Sequence, residues 1–123
     1  MLWRFCSHKG QPYIKVYIHG PCHENGYNGA LAGSTVYFGF GTHISAYANQ
    51  TAAEVPGLHQ TNNRAVLHGV ILALDTVVQH GNPKDKRQRR VAVYCSSNYP
   101  SYWWNTALPF HRNQVTCKFF QHC

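Results

Sequence analysis

The chain has 123 residues, enough for one domain with a buried core, and 44% of them are hydrophobic. Eleven Lys and Arg stand against four acids, a formal charge of +7 with all nine His neutral, so a polyanion such as nucleic acid is the partner its field favours. No apolar run reaches the ~18 residues of a membrane span, and the start "MLWRFCSHKG" lacks the apolar stretch of a signal peptide, so the expectation is one intracellular domain over residues 1–123, nuclear or cytoplasmic, without a membrane partner.

In chain order, "YIKVYI" (13–18) alternates polar and apolar residues and predicts a strand that leaves the sheet at His19-Gly20. "AGSTVYFGFG" (32–41) and "THISAYANQ" (42–50) predict two more, the three forming an antiparallel meander, and "TAAEVPGLHQ" (51–60) reads as a loop. A helix should follow. Thr61 is its expected N-cap, His80-Gly81-Asn82-Pro83 its stop, and Leu67, Val70, Ile71, Leu74, Val77 and Val78 recur at helical spacing. "KDKRQRR" (84–90) reads as a basic loop, "VAVYCSS" (91–97) as a strand buried on both faces, "YPSYWWNTAL" as a short helix and "QVTCKFF" (114–120) as a last strand. The order predicts an α/β fold with a mixed five-stranded sheet and helices packed on it. The five Cys match neither a disulfide framework nor a zinc motif, and reduced thiols are expected.

Three segments together resemble type 1 ribonuclease H. "VYIHGPCHENG" is similar to the family's first strand, which ends in Asp-Gly, and "AGSTVYFGFG" to the Gly-rich strand after it. "QTNNRAV" (60–66) is similar to the family's Gln-Thr-Asn-x-Arg-Ala-Glu helix start at every position but the last, and "VAVYCSSN" to its fourth strand, which carries Tyr-Thr-Asp-Ser. The likeness runs from about residue 12 to 105, more weakly over 114–122. It implies a ribonuclease H-like fold: three antiparallel strands, then parallel ones, with flanking helices.

The resemblance also implies a chemistry. The family holds two Mg²⁺ ions on clustered carboxylates, one activating water and the other stabilising the leaving oxygen of the phosphate. Mg²⁺ requires oxygen ligands. Carried over by position, the first three acids fall on His19, Val66 and Ser96, and the fourth belongs to a C-terminal helix, whereas the sequence stops at Cys123. The acids that are present are Glu24, Glu54, Asp75 and Asp85, and none is expected at the inner end of a strand or in the first turn of the helix. The expectation is a catalytically inactive relative with no metal or other cofactor. Two enzyme alternatives keep His19. One is a soft-metal site drawing on His19, Cys22, His23, His68 and Cys95, disfavoured because Cys95 and Ser96 alternate faces and His68 turns away from Val66. The other is metal-free cleavage with His19 as base and His111 or His122 as acid.

Binding residues survive better than catalytic ones. The resemblance implies minor-groove contacts from Asn25, Asn62 and Asn63 and a phosphate contact from Thr61, which is equally a helix-capping residue. Lys84, Lys86, Arg87, Arg89 and Arg90 are further phosphate candidates, or a solvated loop, or a nuclear address. The aromatics Tyr102, Trp103 and Trp104 are candidates for the sugar–phosphate backbone or for the core. The expected partner is an RNA–DNA hybrid or double-stranded RNA; the rival is a protein-contact scaffold. Without a C-terminal helix, Val115, Phe119 and Phe120 are expected to lack cover and to favour a homodimer.

Overall fold

A computed structural model of the chain describes residues 3–20, 22–23, 31–39, 50–52, 61–82, 84–95, 104 and 115–121. Its centre is β2 (Gln11–His19), the longest strand. Ile14, Val16 and Ile18 are fully buried on one side of it, and Lys15 and Tyr17 are partly exposed on the other, the period-2 pattern of a strand with one face on a core. β5 (Ser34–Tyr37) runs antiparallel beside the end of β2, and β6 (Gln50–Ala52) antiparallel beside β5. On the other edge β7 (Arg90–Cys95) lies parallel to β2, and β8 (Thr116–Gln121) parallel to β7. The sheet order is β6-β5-β2-β7-β8. The expected mixed five-stranded sheet, three strands antiparallel and then two parallel, is present.

The 19-residue helix α1 (Asn62–His80) crosses one face of this sheet. Thr61 is its N-cap, as expected, with Oγ1 accepting from the Arg64 N–H at 3.2 Å. The Gly81 N–H closes the other end on the Val77 carbonyl. Ala65, Val66, Gly69, Val70, Ala73, Leu74 and Val77 form its buried stripe. Val66, Val70, Ala73, Leu74 and Val77 pack on Ile14, Val16, Ile18, Val36, Val91, Val93 and Cys95 from three strands, and Ala65 packs with Ala32. Each such aliphatic side chain contributes about 1.5–3 kcal/mol by leaving water. One buried polar contact fixes the register: the Ser34 hydroxyl donates to the Ala65 carbonyl at 2.6 Å, tying β5 to the first turn of the helix.

Several elements depart from expectation. The strand expected over 32–41 is split: Leu31–Ala32 (β4) pairs with Cys22–His23 (β3) in a separate ribbon, and the sheet strand is the shorter β5. The third strand of the meander is seen over Gln50–Ala52, from the last residue of the expected strand into the stretch expected as a loop, while 42–49 lie outside the described residues. The basic run is not an open loop. Lys86–Arg89 forms a 3-10 turn capped by Asp85. Of the expected short helix only Trp104 is described; it is helical and packs on the core.

The N-terminus supplies a strand that its sequence does not announce. β1 (Phe5–His8) pairs antiparallel with the first half of β2. The turn is Lys9-Gly10, with φ of 51° and 77°. Two central residues with positive φ make the primed turn that suits hairpin twist, and Gly10 takes the second position without strain. Ile14 has Phe5 on one side and Val91 on the other. β1 and β5 therefore share one edge of β2, end to end. Just before β1, Trp3 enters the core at 6% exposure, its ring 5.3 Å from that of Phe38, and its Nε1 donates to Gln88 Oε1 at 3.2 Å.

This alters the expectation at the last strand. Val115 is 6% exposed and belongs to the same core as Trp3. Phe119 packs against that core and against the Trp104 ring at 5.8 Å, and Phe120 stacks on His8 at 4.4 Å. Of the residues expected to lack cover, Val115 is buried, whereas Phe119 and Phe120 are partly exposed. Phe5 and Val78, each 38% exposed, are the large hydrophobics that are exposed among the described residues. Among the described residues no helix is long and apolar enough to cross a membrane.

Candidate nucleic-acid interface

The carboxyl ends of β2 and β7 and the first turn of α1 meet at one end of the sheet. β2 ends on His19, which is exposed and paired in register with Thr35. Gly20 follows and is buried against the helix: a Cβ there would lie 2.5 Å from the Val66 backbone N and 2.7 Å from Val66 Cγ2. A glycine is needed because helix backbone and strand end touch. β7 ends on Cys95, buried in the core, and Ser96 lies outside the described residues.

The described residues at this end do not fit a pair of Mg²⁺ ions, and Glu24 and Glu54 lie outside the described residues. His19 offers nitrogen rather than oxygen. Val66 offers nothing: it is 2% exposed and packs in the row with Val70, Ala73 and Val77. Asp75 stands thirteen residues beyond the N-terminal residue of α1, about 20 Å along the axis. Asp85 is held by Arg87 in the 3-10 turn. Among the described residues no three His, Cys, Asp or Glu side chains gather as a metal site. Of the soft-ligand candidates, Cys95 belongs to the core, and burial lowers the pKa of His68. His111 and His122 lie outside the described residues.

The expected nucleic-acid contacts fall into two groups. Asn62 and Asn63 are exposed at the start of α1. Thr61 stands beside them, but its hydroxyl oxygen serves as the cap. Asn25 lies outside the described residues. The second group, Lys84 to Arg90, begins beyond the other end of the helix. The seventeen residues of α1 after Asn63 separate the two groups, about 26 Å at helical rise. Lys84, Lys86 and Arg89 are exposed, and Arg90 opens β7 partly exposed. Arg87 differs from them. Its guanidinium donates twice to Asp85, Nε at 3.1 Å and Nη2 at 2.9 Å, and lies 5.4 Å from the centre of the Phe5 ring. The hydrogen bonds from Arg87 hold the Asp85 carboxyl down at about 2. Arg87 is thus a structural cation of the turn more than a free phosphate ligand.

A second cationic surface was missed in the sequence. On the sheet face away from α1, Tyr37, Tyr17, Tyr94 and Phe120 are consecutive register partners across β5, β2, β7 and β8. Tyr17 and Tyr94 lie 5.2 Å apart by ring centres, Tyr94 and Phe120 5.0 Å. One step back in the pleat, Lys15, Ala92 and Lys118 form a second row. The ammonium of Lys15 lies over both Tyr17 and Tyr94, at 5.2 and 5.5 Å. Beside this face the Tyr94 hydroxyl donates to Cys6 Sγ at 3.7 Å and lies 3.4 Å from His8 Nε2. Burial first, then the contact with Cys6, raises the Tyr94 hydroxyl to about 12, so it stays a donor at neutral pH. The available signal was the identity of the non-core phase of each strand, Tyr-Lys-Tyr in β2 and Lys-Phe in β8.

No protein-family model and no curated protein matches this chain.

Proposed function

We propose that the chain is a ribonuclease H-like protein without metal-dependent catalysis that binds RNA-containing duplex. The carrying observation is Val66. The resemblance requires a metal-binding acid there, and the side chain is instead core packing beside an exposed His19. The antiparallel-then-parallel sheet with a helix returning to the fourth strand of the resemblance supports the family assignment. Binding is supported by charge and by placement. A duplex lying along α1 would meet Asn62 and Asn63 at one end and Lys84, Lys86, Arg89 and Arg90 at the other, over a length somewhat shorter than one duplex turn of roughly 35 Å. Amides can read a groove that displays 2′-OH groups, and the cations neutralise phosphates without sequence preference.

Two measurements test this. Labelled hybrid incubated with pure protein and Mg²⁺ or Mn²⁺ should stay intact; cleavage that copurifies with the protein and is abolished by EDTA would overturn the loss of catalysis. Titrations of hybrid, RNA and DNA duplexes at two salt concentrations should show steeply salt-dependent binding with a preference for RNA-containing forms. Asn62→Ala with Asn63→Ala should reduce that preference. Neutralising Lys84, Lys86, Arg89 and Arg90 should weaken all duplexes alike. No binding at low salt by folded protein would transfer the reading to a protein-contact scaffold.

A further inference from the structure

The sheet face opposite α1 carries side chains that a merely solvated surface does not need. Its aromatic row runs in register through four adjacent strands, and neighbouring strands are spaced about 4.8 Å apart. Tyr37, Tyr17, Tyr94 and Phe120 are all partly exposed. The parallel row places two lysines either side of fully buried Ala92, so a small residue separates two cations. At the β5 end of the ladder, where β1 and β5 meet along the edge of β2, a pocket of about 310 Å³ opens, lined by Arg4, Lys15, Tyr17 and Tyr37 among others. That is near the lower bound of small-ligand sites, roughly 300–1,000 Å³. The two described acids lie elsewhere, Asp75 on α1 and Asp85 in the 3-10 turn.

We propose that this face binds single-stranded nucleic acid, with one unpaired base in the pocket beside Tyr17 and Tyr37 and the phosphates following Lys15 and Lys118. Charge selects the occupant: the chain carries +7 and this face offers cations among aromatic rings. Aromatic rings interleaved with cations suit a strand whose bases are free to stack, whereas a duplex hides its base faces. Stacking needs no particular base, and no amide stands in the two rows, so oligo-dT and oligo-U should bind with similar affinity. The surface is separate from the helix-side duplex contacts and does not depend on them.

The test uses the full chain and fluorescein-labelled oligo-dT and oligo-U of ~12 nucleotides, within the site sizes such surfaces take. Anisotropy is read across a salt series beside a blunt hybrid of equal length. The wild type should bind the single strands. Tyr17→Leu with Tyr37→Leu should weaken that binding at least about fivefold with the salt slope unchanged and hybrid binding retained. Lys15→Gln with Lys118→Gln should reduce the single-strand slope by about 1.4, two contacts at roughly 0.7 each. Circular dichroism melts verify folding. A readout independent of substitution is photocrosslinking of 5-bromouracil oligonucleotides to the wild type, with adducts expected at Tyr17 or Tyr37. Single-strand binding that the leucine variants leave intact, or crosslinks confined to residues 61–64 or 84–90, would overturn the proposal. Hybrid binding without single-strand binding overturns this inference alone; the converse overturns the duplex reading alone.

Discussion

The two faces of the central sheet are made by the same strands and have opposite characters. Toward α1, β2 contributes Ile14, Val16 and Ile18, and β7 contributes Val91, Val93 and Cys95, all at or below 3% exposure. Away from α1 the intervening residues are Lys15 and Tyr17, Ala92 and Tyr94, with Lys118 and Phe120 on β8. One face carries the stability of the fold. The other buries Tyr13 and Ala92 but holds Lys15, Tyr17, Tyr94, Lys118 and Phe120 partly in water, where they contribute less to folding and are available for contact. A face that a fold does not need for stability is where binding chemistry accumulates at least energetic cost.

Substitutions can break or sharpen that contrast. The largest effect belongs to the core side: Leu74→Ala, at a fully buried position of α1, should cost about 2–5 kcal/mol in urea unfolding. Gly20→Ala should follow at about 1–3 kcal/mol, because the new methyl would press on the Val66 backbone N, an atom that cannot rotate away. Thr61→Ala removes the cap of α1 and should cost about 1 kcal/mol in the same assay. Lys118→Gln, on the opposite face, should change stability by no more than about 0.5 kcal/mol. A Lys118→Gln cost equal to that of Leu74→Ala would abolish the distinction between the faces. The smallest effect is acid-dependent and local. Asp85 has a folded pKa of about 2, below its ordinary 3.8. Its contribution is therefore present above the ordinary value and is lost as pH falls through the folded one. Amide exchange at Arg87 and Gln88 should accelerate only over that interval, while the core amides stay protected.

The helix side was legible in the sequence because its signals are local. Thr61, the apolar spacing and Gly81 bound α1 within a few residues, and Tyr13–Ile18 marked the centre of β2. β1 was not legible, since Phe5-Cys6-Ser7-His8 alternates from exposed to partly buried and no residue of it belongs to the core. It exists through pairing with β2 across a two-residue turn. The aromatic ladder was hidden for another reason. Each strand contributes a single rung, and only the pairing register aligns them. At the last strand, Val115 is buried in the core that also holds Trp3, far away in sequence, while Phe119 and Phe120 stay partly exposed. At the candidate site, the burial of Val66 followed from its place in the apolar row. The separation of Asn62 and Asn63 from the basic turn was implicit in the length of the helix between them. The withdrawal of Arg87 into an ion pair depends on the 3-10 turn that brings Asp85 beside it.

The sharing of one β2 edge by β1 and β5 has a kinetic consequence. The β1–β2 hairpin closes through two residues, and hairpins form within about 1–10 μs. The opposite edge waits for β7, whose Val91 must reach Ile14 across most of the chain, and such non-local parallel pairing is slow. A lone hairpin is only marginally stable. Strand β2 should therefore be presented early, half paired, as a template on which β5 extends the occupied edge and β7 later closes the other. Pulse-labelled hydrogen exchange would show this as protection rising at residues 5–14 before it rises at 91–95.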